Sequence, residues 1–94
     1  MAKTITLKTK VRIGKDVVSR LVQNEEVILN LVTGTYFGLD EVGTFIWDKM
    51  KSEASLDEIF QELVEEYESE PARIKKDLLA LAQKLQKCQL ISAN

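Results

Sequence analysis

The chain has no histidine, one cysteine and one proline among 94 residues. Each shortage excludes something. Without histidine, the commonest general base and metal ligand is missing. Cys88 is alone, so it has neither a disulfide partner nor a histidine to activate it. A single unpaired cysteine points to a reducing cytoplasm. No glycine-rich phosphate loop or dinucleotide fingerprint is present. No apolar run approaches the ~20 residues that a membrane helix needs. Met1–Val11 lacks the basic, apolar, small order of a secretory leader. These absences point away from an enzyme. They leave no catalytic residue, cofactor site, metal site or membrane contact to assign.

What is present is ordinary for one globular domain. The sequence is 45% hydrophobic and 30% charged, which favours a folded chain over a disordered one. At this length folding buries roughly 60–65% of the unfolded surface. A single domain over residues 1–94, with one modest core, is expected. The formal charge of −2 hides an uneven distribution. Residues 1–24 carry +5, residues 25–70 carry −11 and residues 71–94 carry +4. Such blocks predict an acidic face and a basic face. The Glu62–Glu70 run has no glycine turn of the kind calcium loops use, and reads as a solvated surface.

The first third reads as strands. Ile5, Leu7, Thr9, Val11 and Ile13 alternate with Thr6, Lys8, Lys10 and Arg12, a period of two. Residues 1–13 are therefore expected as an extra strand or as an arm. Gly14-Lys15-Asp16 is a turn. Val17–Val22 is a β-prone run that ends at Gln23-Asn24-Glu25. Glu26–Val32 is the most apolar run and a central-strand candidate. Thr33-Gly34 makes a tight reversal, with glycine supplying positive φ. Thr35–Leu39 then returns as the last strand of a meander.

The remainder reads as three helices. Asp40 is placed to cap the first, whose stripe is Val42, Phe45, Ile46 and Met50, widened by Trp47. Gly43 sits one turn in, where close approach of the helix to the sheet would explain it. Ser55-Leu56-Asp57-Glu58 is a capping box that opens the second helix. Pro71 suits the first turn of the third. The third helix's stripe is Ile74, Leu78, Leu81, Leu85 and Cys88, where Cys88 reads as a small buried hydrophobe. The order predicts an α+β, winged-helix-like fold: a three-stranded antiparallel meander followed by three helices.

Two features converge. A strand followed at once by a helix is a candidate sheet edge, with unpaired donors and acceptors. With Leu78 and Leu81 at the buried centre of the third helix, Arg73, Asp77, Ala80 and Lys84 fall on one flank. Lys76 lies further round that side. If this flank faces Thr35–Leu39, the two make a trough that an extended peptide could enter by strand addition. Thr35, Tyr36 and Phe37, with Arg73, Lys76, Asp77, Ala80, Leu81 and Lys84, are the candidate peptide-binding residues. Tyr36 and Phe37 point to opposite faces, and the sequence leaves open which one faces a ligand.

An ordered set of motifs resembles a known family. The set runs through Tyr36-Phe37-Gly38-Leu39-Asp40, Gly43, Ile46-Trp47, Ser55-Leu56-Asp57-Glu58-Ile59 and Leu63. It continues through Asp77-Leu78-Leu79-Ala80-Leu81 and Leu85 to Leu90-Ile91. Over roughly residues 17–91 the chain resembles the PqqD-like proteins, the peptide-recognition elements of ribosomally made, modified peptide pathways. Its size and lack of enzymatic residues look most similar to the leader-binding proteins of lasso-peptide clusters. The resemblance implies a non-catalytic protein that binds a precursor's leader as an added antiparallel strand between the third strand and the third helix. It implies delivery to a transglutaminase-like leader peptidase and a peptide-closing enzyme. It also implies that a Tyr, a Pro and a later apolar leader residue are read. Two departures stand out. Residues 1–13 are additional, and Cys88-Gln89 replaces the usual glycine before Leu90-Ile91, so the glycine that would suit a left-handed cap at a sharp helix end is absent.

Two other readings compete. A winged-helix nucleic-acid binder would use the basic third helix, although the pI of about 5.2 is far from the basic values such domains show. A dimer paired through the open strand edge is the other. The peptide-binding reading predicts a monomer or weak dimer with no nucleic-acid partner.

Overall fold

The computed structural model of the chain describes residues 4–93. Eight elements follow in order: β1 (Val11–Ile13), β2 (Val17–Val22), β3 (Glu25–Asn30), β4 (Tyr36–Gly38), α1 (Glu41–Lys51), α2 (Leu56–Glu66), α3 (Pro71–Lys87) and β5 (Ile91–Ala93). The expected α+β order, an antiparallel meander and then three helices, is present. β2, β3 and β4 form a sheet in that spatial order, with β3 central and β4 at an edge.

Local chemistry accounts for the turns. β2 and β3 pair to their ends, Val22 opposite Glu25. The two residues between, Gln23 and Asn24, both have positive φ, as a two-residue hairpin requires. The reversal after β3 is wider than a Thr33-Gly34 turn. Asn30 Oδ1 accepts from the amides of Val32 at 2.9 Å and Thr33 at 3.1 Å. The chain therefore leaves the ladder at Asn30 and rejoins it at Thr35, whose carbonyl accepts from Asn30 N at 2.9 Å. β4 is accordingly shorter than the expected Thr35–Leu39.

The caps hold as read from the sequence. Asp40 Oδ1 accepts from Gly43 N at 2.8 Å, and both bonds of the Ser55–Glu58 capping box are made. Gly43 is explained by its neighbours rather than by the sheet. A β-carbon there would stand 3.1 Å from Leu39 Cβ and Cδ2 and 3.2 Å from Asp40 Oδ1. α1 is tied to the sheet elsewhere. Thr44 Oγ1 accepts from Glu26 N at 2.9 Å, and the buried Trp47 donates Nε1 to Ser19 Oγ at 3.1 Å.

The core lies between the inner sheet face and the helices. Ile28, Trp47, Leu56, Ile59, Leu78 and Leu85 are all within 1% of complete burial. On α3 the buried stripe is Ile74, Leu78, Ala82 and Leu85, not the expected line through Leu81. Ala82 is small, so this side of α3 can press closest to its neighbours. The helix is thus rolled relative to the expected wheel, and Leu81 and Cys88 are only half-buried. On the other sheet face Val18, Val27 and Tyr36 remain exposed.

The alternating N-terminal segment behaves differently from a long strand. Its first three residues lie outside the described residues. Thr9 does not fill an inward strand position; its Oγ1 accepts from Thr6 N at 2.8 Å, and Thr9 N donates to Thr6 O at 3.0 Å. That local turn stops the strand pattern, while Ile5 before it is buried. Only Val11–Ile13 is a strand. It pairs with β5 rather than with the meander, Ile13 opposite Ile91.

α3 ends sharply without the glycine. Leu90 N donates to Leu85 O at 2.9 Å and Gln89 N to Gln86 O at 3.0 Å. Leu85 and Leu90 are both fully buried. This is the two-bond Schellman end with its hydrophobic contact, and it forces Gln89 to φ 61°. A side chain in that region costs roughly 1–2 kcal/mol. Gln89→Gly is expected to raise the unfolding free energy by about 1 kcal/mol, and the thermal midpoint by about 4–8 °C for a domain of this size. Denaturant and thermal melts followed by Trp47 fluorescence measure this; an unchanged midpoint would refute the strain.

Candidate functional site

The edge strand β4 faces α3 across a groove of about 620 Å³. The ladder determines what that edge offers. Asn30 N bonds to Thr35 O and Leu39 N bonds to Glu26 O, both at 2.9 Å. Antiparallel pairs alternate between bonded and non-bonded. Ile28 and Phe37, midway between, are therefore the third bonded pair, with Leu29–Tyr36 and Val27–Gly38 the non-bonded ones. Tyr36 and Gly38 thus turn their amides and carbonyls away from β3, toward open space. Nothing stands within 4 Å of where a Gly38 side chain would begin.

Side chains from every helix complete the groove. Phe37, Gly38 and Leu39 form the strand wall. Asp40, Val42, Gly43 and Ile46 bring the start of α1 beneath it. Leu63 of α2, with Tyr67 and Ser69 just after it, closes one end. Arg73, Ile74, Asp77, Leu78, Ala80, Leu81 and Lys84 form the helical wall. The floor is apolar and the rim is charged, a distribution suited to an amphipathic extended ligand.

Six of the nine candidate residues line this groove: Phe37, Arg73, Asp77, Ala80, Leu81 and Lys84. The roll of α3 that buries Ala82 is what turns Leu81 toward it. Three do not line it. Tyr36 is 74% exposed and shares the outer sheet face with Leu29, so only its main chain serves the groove edge. Thr35 is occupied in the turn, where its amide and hydroxyl bond to Thr33 Oγ1. Lys76 is exposed and outside the lining. The groove contributions of α1 and α2 are not legible in the sequence pattern. Val42 lies on the apolar stripe expected for the first helix, but periodicity alone does not tell a core position from a groove floor.

The charges are unequally committed. Arg73 Nε lies 3.9 Å from Asp77 Oδ2, with both side chains largely exposed, a pair weak enough to exchange partners. Lys84 forms no ion pair among the described residues. At the opposite end, Tyr67 packs edge-on against Phe45, ring centres 6.0 Å apart at 89°. Lys49 lies over the other ring of that pair, 5.3 Å from the Phe45 centroid, and bonds to Glu62 at 3.2 Å. Burial raises the Tyr67 hydroxyl above the ordinary value of 10.0, and the carboxylates of Glu41, Glu66 and Asp40 push it the same way.

That shift has a direction in stability. Below pH 10.0 both folded and unfolded Tyr67 hold the proton. As pH rises further the unfolded chain releases it first, so stability falls until the folded hydroxyl also ionises. Tyr67→Phe is expected to flatten the stability loss above about pH 10. Urea melts across the alkaline range, with tyrosinate absorbance as a monitor, check this; an equally steep decline in the variant would refute it.

Comparison with known proteins places this geometry. No curated protein matches the chain. The solved structure of TbiB1 in complex with the TbiA(beta) leader peptide superposes with a TM-score of 0.82 at 35% identity, covering 85% of this chain and 93% of that one. Lasso peptide synthetase B1 complexed with the leader peptide gives a TM-score of 0.80, covering 87% of this chain and 96% of that one. At 22% identity this second likeness concerns the fold alone. Residues 25–91 match the model of coenzyme PQQ synthesis protein D, PqqD. That match runs from the central strand through both groove walls to the last strand, and by it the chain belongs to the PqqD family.

Proposed function

We propose that this protein binds the leader region of a ribosomally made precursor peptide, without catalysing a reaction on it. The leader adds as an antiparallel strand to β4 and lies in the groove against α3. The observation that carries this reading is the pairing of an open edge with a facing helical wall. Tyr36 and Gly38 supply main-chain bonds in register, and such bonds give affinity independent of sequence. Specificity then comes from the side-chain pockets. The apolar floor around Val42, Ile46 and Leu78 takes the leader's inward apolar residues, and Lys84 and Arg73 meet its acidic ones. The likeness to TbiB1 in its leader-peptide complex supports the choice of ligand.

The bound precursor is then handed to a leader peptidase and a peptide-closing enzyme of the lasso type. Holding the leader as a strand keeps its main chain extended and leaves the remainder of the precursor free to reach those enzymes. Nucleic-acid binding is the less suitable reading. The middle of α3 is committed to the core through Leu78, Ala82 and Leu85, and carboxylates stand at the Tyr67 end of the groove.

Fluorescence anisotropy with a labelled panel of lasso-precursor leaders, the TbiA(beta) leader peptide of the TbiB1 complex among them, tests the reading. Wild-type protein is expected to bind saturably as a monomer or weak dimer. Lys84→Glu is expected to weaken binding by roughly five- to tenfold at low salt, and Lys76→Glu by less. Both losses should shrink at about 1 M salt, where screening acts over ~3 Å. Ala80→Arg places a long side chain in the groove and is expected to abolish binding with the helical circular dichroism unchanged. Unaltered affinity in Lys84→Glu and Ala80→Arg together would show that the groove is not the site.

A further inference from the structure

We infer that Asn30 is a positioning residue for the groove, holding its strand wall and its helical wall at a fixed separation. The inference rests on the peptide-binding reading of the groove and adds a residue outside it. Asn30 is the last residue of β3, 7% exposed, and does not line the groove. Its side chain makes three bonds in two directions. Oδ1 accepts from Val32 N and Thr33 N, at 2.9 and 3.1 Å. Nδ2 donates to the carbonyl of Gln89, just past the end of α3, at 2.7 Å. The backbone of Asn30 also donates to Thr35 O and accepts from Gly34 N.

One residue therefore shapes the turn that launches β4 and links that turn to the C-terminal end of α3. The link spans 59 positions of sequence. It ties the two walls together beyond the Lys84 end of the groove, since Gln89 follows Lys84 by about one and a half helical turns. Asparagine is the side chain that can do both. Serine and aspartate can accept from turn amides, but an ionised aspartate has no donor and serine is too short to span to α3. Glutamine adds a methylene and loses the short turn geometry. The strained Gln89 belongs to the same device, because its left-handed backbone aims its carbonyl at Asn30. A peptide entering between walls already at the right distance meets no ordering cost there. Without the link that cost falls on binding.

Asn30→Asp isolates the link. It retains the acceptors for Val32 and Thr33 and replaces the donor with a carboxylate facing the Gln89 carbonyl. Asn30→Ser serves as the second variant if the carboxylate prevents folding. Ile59→Val, which thins the core at a buried residue that does not line the groove, controls for general loss of stability. Affinity for the tightest-binding labelled leader of that panel is measured by anisotropy at a temperature where circular dichroism shows every variant folded. Asn30→Asp and Asn30→Ser are expected to bind roughly tenfold more weakly, and Ile59→Val within about twofold of wild type. In amide NMR spectra of the free Asn30 variants, shifts are expected at β4 and the end of α3, and to return toward wild type when the leader saturates. Wild-type binding with unaltered affinity in both Asn30 variants overturns the inference alone. Equal weakening by Ile59→Val, or free-state shifts spread through the whole core, also overturns it. No binding by the wild-type protein overturns the peptide-binding reading, and this inference with it.

Discussion

The junction between β4 and α1 is the constraint on which the rest of the molecule turns. Leu39 still bonds to Glu26 in the ladder, and the next residue, Asp40, already caps a helix. The chain has no room to extend the strand or to lay another beside it. Gly43 lets α1 begin tight against Leu39, where a β-carbon would crowd it. α1 is then pulled under the sheet by Thr44 and Trp47. β4 is left short, at an edge, with alternate main-chain groups unpaired. An open edge is usually a hazard that proteins cover or blunt. Here α3 stands opposite it across a gap, neither covering it nor leaving it wholly bare.

The opposite wall depends on packing at its two ends. α3 is seated by Ile74, Leu78, Ala82 and Leu85. Its C-terminal end is fixed by the Schellman bonds and by Asn30. β5 follows at once and pairs with β1, and Gly14 N adds a bond to Leu90 O at 3.2 Å. The N-terminal segment thus secures the far end of the groove helix. A groove held by such long-range ties presents its pockets with little further ordering, which is how a small domain can bind a flexible peptide usefully.

Much of this was legible beforehand. Asp40, Ser55–Glu58 and Pro71 mark three helix starts by local rules, and the helices begin there. Val17–Val22 has turn residues at both ends, and the strand β2 runs over those same residues. The flank Arg73, Asp77, Ala80 and Lys84 follows from a 100° wheel and does line the groove. Other features were not legible. Residues 4–10 carry a strand's alternation, but a threonine that bonds to Thr6 competes with the ladder. The end of α3 looked unsupported because a glycine was missing, yet burial of Leu85 and Leu90 outweighs the roughly 1–2 kcal/mol of backbone strain at Gln89.

The sequence by itself determined the order of the meander and the three helices, the helix starts and the absence of histidine chemistry, but not the closing strand β5 or its pairing with β1. The features it determined depend on neighbours within a few residues and on composition. Only the tertiary structure decided that Phe37 rather than Tyr36 faces the groove. It also rolled α3 onto Ala82, brought Val42 and Tyr67 to the groove floor and end, and joined Asn30 to Gln89. Those outcomes depend on how closely whole elements approach one another. That distance is set by packing across the core, between residues that are far apart in the chain.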